Sequence, residues 1–312
     1  MLLLLALVSC QYAVSKPRQV IFDTDWWTDV DDACAVRLLL DAASAGQVDL
    51  KGICLSALCP TSARSLDSFL KYEGCSGLPL AADFDATDYT GRPSYHQTVI
   101  SGCGDPSARS NEDCEDCVSF YRRILSQSRG RVDIIAVGYP NTLAKLLQSG
   151  PDEYSRLSGR RLVRRKVGRL WMMAGLYPNG RENNFCRTER SRLAGAQVCA
   201  EWPTEIIFLG YEVGIQVRAG GRLPADDLLH QVLKVHGSAG GRYAWDPMTT
   251  LMAVSGSPEA EGYHTVRGTN VVNPEDGSNV FTVSKRGRHS YVVMDFPAQW
   301  YADRLDGLLS RE

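Results

Sequence analysis

The chain has 312 residues, with 34 Lys or Arg against 36 Asp or Glu, so its formal net charge at neutral pH is −2. Proteins that bind polyanions normally carry an excess of basic residues, so this balance argues against nucleic acid as a partner. Hydrophobic residues make up 44% of the chain and charged residues 22%, which excludes extensive disorder. After residue 14, no apolar stretch approaches the roughly 20 residues that a membrane-spanning helix needs.

The N-terminal residues have the pattern of an export signal. A short apolar run at 2–8 is followed by small residues at 13–15, which is typical of a signal peptide and its cleavage site. We therefore expect residues 1–15 to be a signal peptide, residues 16–312 to form a single domain, and the protein to be secreted or extracytoplasmic. Two alternatives stay open. The sequence LVSC at 7–10 resembles a lipoprotein box with a lipid anchor at Cys10, and the first Met could also lie inside a longer leader.

Segments with strand and helix patterns alternate along most of the chain. Strands are predicted at 19–22, 48–56, 132–137, 170–174 and 205–209. Helices are predicted at 33–43, 61–73, 142–148 and 225–235. The polar residues 82–117 predict a long surface excursion, and residues 263–295 predict hairpins. This order predicts an α/β fold, with a mostly parallel central sheet, helices on both faces and appended C-terminal hairpins.

The sequence contains ten cysteines, and nine remain if the leader is removed with Cys10. An odd number cannot pair completely. Two of them, Cys34 and Cys54, lie within apolar helix and strand patterns and are expected to be packed thiols. A disulfide is compatible with the polar stretch that contains Cys103, Cys114 and Cys117. The CxxC spacing of the last two has no second Cys or His pair, which argues against zinc.

A cluster of carboxylates follows the first predicted strand. The sequence DTDWWTDVDD at 23–32 contains five Asp residues at the junction between a strand and a helix. Ligands bind at the carboxyl ends of parallel strands, so these groups are expected in a cleft where they repel one another. Raised pKa values or a hard divalent cation such as Ca²⁺ or Mg²⁺ would relieve the repulsion. Helix capping by Asp31 and Asp32 is the alternative, but it accounts for two acids of the five.

This segment resembles the D-x-D-P-G-x-D-D-A signature of the nucleoside hydrolases, in a D-T-D-x-x-T-D-x-D-D-A form found in one branch of that family. Three further segments follow in the family's order. They are GYPNTLA at 138–144, similar to G-P-x-T-N-x-A; ENNF at 182–185, similar to E-F-N-I; and WDP at 245–247, similar to H-D-P. The resemblance extends from about Gln19 to about Asp295. It implies a nucleoside hydrolase-like catalytic domain that uses Ca²⁺ to hydrolyse the N-glycosidic bond of ribonucleosides, giving ribose and a free nucleobase.

The resemblance also implies roles for individual residues. The Ca²⁺ ligands would be three carboxylates and one backbone carbonyl, those of Asp25, Asp32, Asp246 and Asn141. Asp25 would in addition be the general base. The ribose hydroxyls would be held by three polar side chains, Asp31, Glu182 and Asn184. The implied partner is a small-molecule nucleoside, with no nucleic acid and no integral membrane span, and a homo-oligomer is left open.

Departures from the family pattern concern the leaving group. Trp245 stands where the family has a His that helps the base leave, and the family's ribose-contacting Asn after the second strand has no counterpart in SALCP at 56–60. An indole N–H can donate a hydrogen bond but cannot deliver a proton. Trp26, Trp27 and Trp245 are candidates for stacking on a nucleobase, with packing in the core as the alternative for the first two.

Two other functions compete with nucleoside hydrolysis. The sequence VIFDTD at 20–25 also resembles the strand and D-x-D motif of haloacid dehalogenase-like phosphohydrolases. A catalytically weak or inactive Ca²⁺- and ribosyl-binding protein of the same fold is the other alternative, because the family's His is missing. The basic run at 160–166 is expected to be solvated surface.

Overall fold

A computed structural model describes residues 17–311 of the chain. The predicted signal peptide and Cys10 lie outside these residues. The thirteen strands of the described residues are β1 Arg18–Thr24, β2 Val48–Leu55, β3 Leu80–Ala82, β4 Glu115–Asp116, β5 Val132–Ala136, β6 Val167–Met173, β7 Asn179–Arg181, β8 Glu205–Leu209, β9 Arg218–Ala219, β10 Arg242–Tyr243, β11 Tyr263–Val272, β12 Ser278–Val283 and β13 His289–Met294. The twelve helices are α1 Asp31–Ser44, α2 Ser62–Tyr72, α3 His96–Cys103, α4 Cys117–Gln127, α5 Asn141–Gln148, α6 Gly159–Lys166, α7 Asn183–Cys186, α8 Glu189–Glu201, α9 Tyr211–Gly214, α10 Leu228–His236, α11 Trp245–Ser255 and α12 Ala298–Ser310.

Eleven of the strands form one sheet, in the order β4-β3-β2-β1-β5-β6-β8-β13-β11-β12-β7. Neighbouring strands from β4 to β13 run parallel, whereas β11, β12 and β7 continue the sheet in antiparallel pairs. The last parallel strand, β13, lies between β8 and β11 although it comes last in the chain. The predicted α/β class and the C-terminal hairpin are confirmed.

Both faces of the sheet are buried, because successive side chains of a strand point to opposite faces. In β1, Val20 and Phe22 pack in the core on one face, and Ile21 packs on the other. In β6, Trp171 packs in the same core as Val20 and Phe22, and Leu170 packs in the same core as Ile21. The first core includes apolar residues of α1, α2, α10, α11 and α12, and the second includes those of α4, α5, α6 and α8.

The surface excursion predicted at 82–117 is partly wrong. This stretch contains α3 and β4 and adds an edge strand to the sheet. Seven further helices were also not predicted, namely α4, α6, α7, α8, α9, α11 and α12. Helix α6 has two buried apolar residues, Leu162 and Val163, between exposed arginines, and the buried face of α8 consists mainly of small residues. Neither pattern shows the apolar periodicity that identifies a helix in a sequence.

The nine cysteines of the described residues are all free thiols. The disulfide considered for Cys103, Cys114 and Cys117 is therefore not present. Cys34 and Cys54 are buried, as their patterns predict. Within residues 17–311, no helix combines the length and the apolar character needed to cross a membrane.

Candidate functional site

The loop between β1 and α1 is held in place by a tryptophan. Trp26 has a left-handed backbone conformation, with φ of 42°, and its N–H donates to Thr24 Oγ1 at 3.1 Å and to Asp32 Oδ1 at 3.2 Å. Its indole is fully buried and donates to Ser65 Oγ at 3.1 Å. A positive φ is costly for a residue with a large side chain, so the surrounding contacts must fix this turn. Trp26 therefore packs in the core and is not available to a nucleobase.

A cavity of about 320 Å³ opens at the carboxyl ends of β1, β5, β6 and β8. One part of its wall is acidic and is formed by Asp25, Asp29, Asp31, Asp32, Glu182 and Asp246. Another part is aromatic and basic and is formed by Tyr211, Arg242, Tyr243 and Trp245. These residues come from segments spread over most of the chain, as expected where the ends of parallel strands meet.

Three buried carboxylates meet in this cavity. One oxygen each of Asp31, Asp32 and Asp246 lies within 4.8 Å of the others. The backbone N–H of Asp246 donates to Asp31 Oδ2 at 3.0 Å, and Thr24 Oγ1 donates to Asp32 Oδ1. Burial, followed by repulsion from neighbouring carboxylates, raises the pKa of Asp31 and Asp246 well above the ordinary value, and burial raises the pKa of Asp32 to about 7. Asp31 is thus a member of the cluster, although the family resemblance assigns it to the ribose.

Asp25 lies in the same cavity wall, just outside the three-carboxylate cluster. Its Oδ1 accepts a hydrogen bond from the Trp27 N–H at 3.2 Å. Burial, followed by repulsion from Asp32, raises the pKa of Asp25 well above its usual range. A carboxylate with a raised pKa takes up a proton more readily, which suits a general base.

Glu182 and Asn184 are fixed by the turn at the start of α7. The Glu182 carboxylate caps this helix by accepting from the Asn184 N–H at 2.8 Å, and it accepts from the Gly175 N–H at 2.9 Å. Burial raises the pKa of Glu182 to about 7. The Asn184 amide donates to the carbonyls of Val137 and Met173, at 3.0 and 2.9 Å, which ties it to the ends of β5 and β6.

Asn141 is placed differently from the other expected site residues. It is the first residue of α5, and its side-chain amide donates to the Ser56 carbonyl at 3.0 Å and to Asp83 Oδ2 at 2.7 Å. It lies outside the wall of the carboxylate cavity, to which Val137 contributes from the same segment. A carbonyl in the first turn of a helix points along the helix towards its own later residues. The Asn141 carbonyl as a Ca²⁺ ligand stays a prediction.

The aromatic part of the wall is built around Trp245. Its Nε1 donates to the Tyr211 carbonyl at 2.9 Å, and its ring stacks on that of Tyr211 with centroids 5.4 Å apart. Arg242 lies over the indole, 5.4 Å from the ring centroid, and forms a two-point ion pair with Asp29 at 2.8 and 2.6 Å. Sequence reasoning missed Arg242, because no local pattern links it to an acid 213 positions earlier.

No histidine of the described residues lines this cavity. Trp27 also lies outside its wall and packs against Tyr89, Ala57 and Ala86 in a separate small core, so its stacking on a nucleobase is not supported.

The haloacid dehalogenase alternative is not supported either. Its D-x-D motif would need Asp23 as nucleophile, but this carboxylate is fully buried and accepts hydrogen bonds from Tyr121 at 2.7 Å and Thr142 at 2.6 Å.

Comparison of the sequence with family models and with curated proteins found no match. Solved structures do match. The chain is similar to the inosine-uridine preferring nucleoside hydrolase from Bacillus anthracis, with a TM-score of 0.68 and 17% identity over 95% of this chain and 100% of that one. It is similar to the purine-preferring ribonucleoside hydrolase from Gardnerella vaginalis, with a TM-score of 0.68 and 16% identity over 95% and 100% of the two chains. It is also similar to the type III effector protein XopQ, solved in complex with adenosine diphosphate ribose, with a TM-score of 0.61 and 14% identity over 95% and 92%.

The chain has the nucleoside hydrolase fold. Within this nucleoside hydrolase-like structure, three of the four segments that carry the family resemblance meet at one cavity. The expected site residues that line it are Asp25, Asp31, Asp32, Glu182, Asn184, Trp245 and Asp246. The fold by itself does not establish the reaction, which depends on the chemistry of these side chains.

Proposed function

We propose that this chain hydrolyses the N-glycosidic bond of ribonucleosides, giving ribose and a free nucleobase, and that it uses Ca²⁺ to do so. The observation that carries the proposal is the cluster of Asp31, Asp32 and Asp246 in a strand-end cavity that also contains Asp25. Two of the similar structures, an inosine-uridine preferring nucleoside hydrolase and a purine-preferring ribonucleoside hydrolase, support the nucleoside as substrate.

The carboxylate cluster fits a hard divalent cation. All three carboxylates are buried, and the nearest cation in the cavity wall, Arg242, is already paired with Asp29. Buried carboxylates repel one another unless they are protonated or bind a cation, and oxygen ligands favour Ca²⁺ or Mg²⁺. Asp31, Asp32 and Asp246 would hold the ion. When bound, it neutralises the carboxylates and polarises the oxygen atoms that it contacts.

The side chains of this cavity suit glycosidic cleavage. Loss of the base leaves a sugar with oxocarbenium character, which carboxylates stabilise electrostatically. Asp25 would accept the proton of the attacking water. Glu182 and Asn184, held rigidly at the start of α7, would bind ribose hydroxyls.

The aromatic part of the wall would bind the nucleobase. Tyr211, Tyr243 and Trp245 offer flat apolar surfaces next to the carboxylates. The Trp245 N–H is already donated to the Tyr211 carbonyl, so it is not free to hydrogen-bond the departing base. The leaving group would depart without a histidine acid.

Release of reducing sugar from a nucleoside panel, with and without a calcium chelator, tests this function. We expect turnover that the chelator abolishes and that added Ca²⁺ restores. Asp246→Asn should lose both activity and calcium. Asp303→Asn changes an exposed carboxylate outside the cavity wall, so it should keep both. Calcium-independent turnover would contradict the metal assignment.

A ribosyl-binding protein without turnover is the second candidate. It is favoured by the lack of a histidine in the cavity wall and by the similar effector structure that contains adenosine diphosphate ribose. Calorimetric binding of a nucleoside or of adenosine diphosphate ribose, with no release of sugar over many hours, would favour this function over hydrolysis.

The predicted leader leads to a proposal about location. Cleavage after residue 15 would give a secreted or extracytoplasmic protein, whereas acylation would retain it at Cys10. Intact-mass measurement of the mature protein distinguishes the two, because acylation adds lipid mass and signal cleavage removes Cys10. An unprocessed N-terminus would contradict export.

A further inference from the structure

A second cavity shares no lining residue with the carboxylate cavity. It has a volume of about 900 Å³, and its wall includes Trp27, Cys59, Thr61, Tyr89, His96 and Glu112. Cys59 is partly exposed in this cavity, whereas the His96 side chain is 2% exposed. The proposed hydrolysis does not use the side chain of any of these residues.

The thiol and the imidazole face each other across this wall. Cys59 Sγ lies 3.8 Å from His96 Nδ1, and the Thr61 hydroxyl contacts both, 3.4 Å from the sulfur and 2.9 Å from the nitrogen. The Ser62 hydroxyl donates to Cys59 Sγ at 3.3 Å. The loop that precedes α2 thus holds the sulfur in one place.

The other ring nitrogen of His96 fixes its tautomer. Nε2 lies 3.0 Å from the Trp26 carbonyl, which can only accept, so Nε2 carries the hydrogen. Nδ1 is therefore the acceptor, and it receives the Thr61 hydroxyl next to Cys59 Sγ. Burial lowers the pKa of His96 to about 4, so the ring is neutral at physiological pH. A neutral imidazole that donates its second N–H to a backbone carbonyl is the usual state of a metal-binding histidine.

We propose that Cys59 Sγ and His96 Nδ1 bind a soft, thiophilic metal ion, with Cu⁺ as the best fit. With bonds of about 2.3 Å to sulfur and about 2.1 Å to nitrogen, the separation of 3.8 Å corresponds to an angle of about 120° at the metal. Thiolate and imidazole ligands favour soft ions. Cu⁺ with one thiolate and one neutral imidazole has no net charge, which reduces the cost of burying it, whereas a divalent ion would leave an excess charge.

The cavity leaves room for a further ligand of the ion. Trp27 Nε1 is a buried donor without a partner in the described residues. It lies close to Gly91 of the same wall, 3.6 Å from the position that a Cβ atom on Gly91 would occupy. A buried N–H without an acceptor is costly, which indicates that this cavity takes up a ligand with an acceptor atom.

Binding would release one proton. The Cys59 thiol loses its proton to solvent as the sulfur–copper bond forms, the Thr61 hydroxyl leaves Nδ1, and copper stays in the Cu⁺ state throughout. Affinity should therefore increase with pH.

The test uses the full, reduced chain with excess Ca²⁺ under anaerobic conditions. Cu⁺ is titrated in competition with a chromophoric Cu⁺ chelator, and Cys59→Ser and His96→Gln are compared with Cys103→Ser, a partly exposed thiol in α3. We expect both site variants to bind the first equivalent at least about 10-fold more weakly, and Cys103→Ser to bind as the wild type does. Undiminished binding by Cys59→Ser, an equal loss in Cys103→Ser, or a loss that needs Cys59 but not His96 would overturn the site.

A measurement on the wild type guards against misfolding of the variants. Peptide mass spectrometry after alkylation gives the modified fraction of each partly exposed thiol, Cys59, Cys75, Cys103 and Cys186. One equivalent of Cu⁺ should protect Cys59 selectively. Equal protection of all four thiols would contradict the proposal.

Discussion

In the carboxylate cavity, existing hydrogen bonds determine which side chains remain available for catalysis. The Asp25 carboxylate accepts one backbone N–H, from Trp27, and otherwise faces the cavity. The Asp29 carboxylate, in the same loop, is occupied by the two-point ion pair with Arg242. The Trp245 N–H is committed to the Tyr211 carbonyl. These contacts support the proposal that Asp25 is the general base, and under that proposal the leaving group has no acid on the indole side.

Asp25→Asn should lower kcat by about 10²- to 10⁴-fold and weaken nucleoside binding much less, because a general base acts mainly on the transition state. Rapid-quench turnover and calorimetric binding measure the two effects. Asp29→Asn is the matched control, since it removes a carboxylate of the same loop that is already paired, and it should change kcat by less than about 10-fold. A similar kcat for Asp25→Asn and the wild type would mean that another group is the base.

Substrates whose base leaves without protonation should react best. General acid catalysis is typically worth about 10²- to 10⁴-fold, so kcat/KM for p-nitrophenyl riboside should exceed the values for inosine and uridine by a factor of that order. The three compounds are compared in one preparation. Comparable values would show that a proton donor exists, and Tyr243, which lines the cavity, would be the first residue to replace with Phe.

At the scale of elements, a buried ion pair joins helices that lie far apart in the sequence. Arg37 of α1 is 1% exposed and bonds to Glu73, after α2, and to Asp227, the N-cap of α10. Glu73 is fully buried and also receives Arg311, after α12. This network orients α1, whose first turn contains Asp31 and Asp32.

Arg37→Met should lower the free energy of unfolding by about 3–5 kcal/mol, because it leaves the buried Glu73 carboxylate without this partner. Arg222→Met is the control, since its ion pair with Asp303 is about half exposed, and it should cost less than about 1 kcal/mol. Urea unfolding of the two variants gives both values. Equal costs would mean that the buried network contributes no more than a surface pair.

The sequence predicts those elements and residues whose signal is local. The strand at 205–209 has the predicted bounds, and the carboxylates that follow β1 lie where a strand-end cleft was expected. Helix α6, with two apolar residues among arginines, has no such local signal. The position of Arg242, the inward packing of Trp26 and the direction of the Asn141 side chain depend on distant partners, which no local pattern contains.

At the scale of the whole molecule, the cavity brings together several buried carboxyl groups, and burial makes their ionised form less stable. Burial raises the pKa values of Asp32 and Glu182 to about 7, and it also raises those of Asp25, Asp31 and Asp246 well above the ordinary value. In the unfolded chain these groups titrate near about 4. Between these values the folded state binds more protons, so the stability that these groups provide is present below about pH 4 and is lost as the pH rises through about 7.

The metal-free protein should therefore have a higher Tm at about pH 5.5 than at about pH 8, since these carboxylates keep their protons at the lower pH. Ca²⁺ should raise the Tm more at the higher pH, because it binds the deprotonated carboxylates. Differential scanning calorimetry at both pH values, with and without Ca²⁺, gives the four values. Asp246→Asn should reduce the calcium effect at both. A Tm of the metal-free protein that increases between these pH values would contradict the assignment of the raised pKa values.

Asp246 and Asp31 are hydrogen-bonded although they lie 215 positions apart in the sequence, and this separation affects when the cavity can form during synthesis on the ribosome. The acidic loop is synthesised first, and about two hundred further residues are added to the nascent chain before Arg242 and Asp246. The sheet is also incomplete until β13 emerges and inserts beside β8. Domains generally fold as units, and β13, which completes the sheet, is synthesised after every residue that lines the cavity. The cavity therefore cannot be complete before Asp246 has been synthesised, and, if it binds Ca²⁺ as proposed, the calcium concentration during folding should influence how much of the chain reaches the native state.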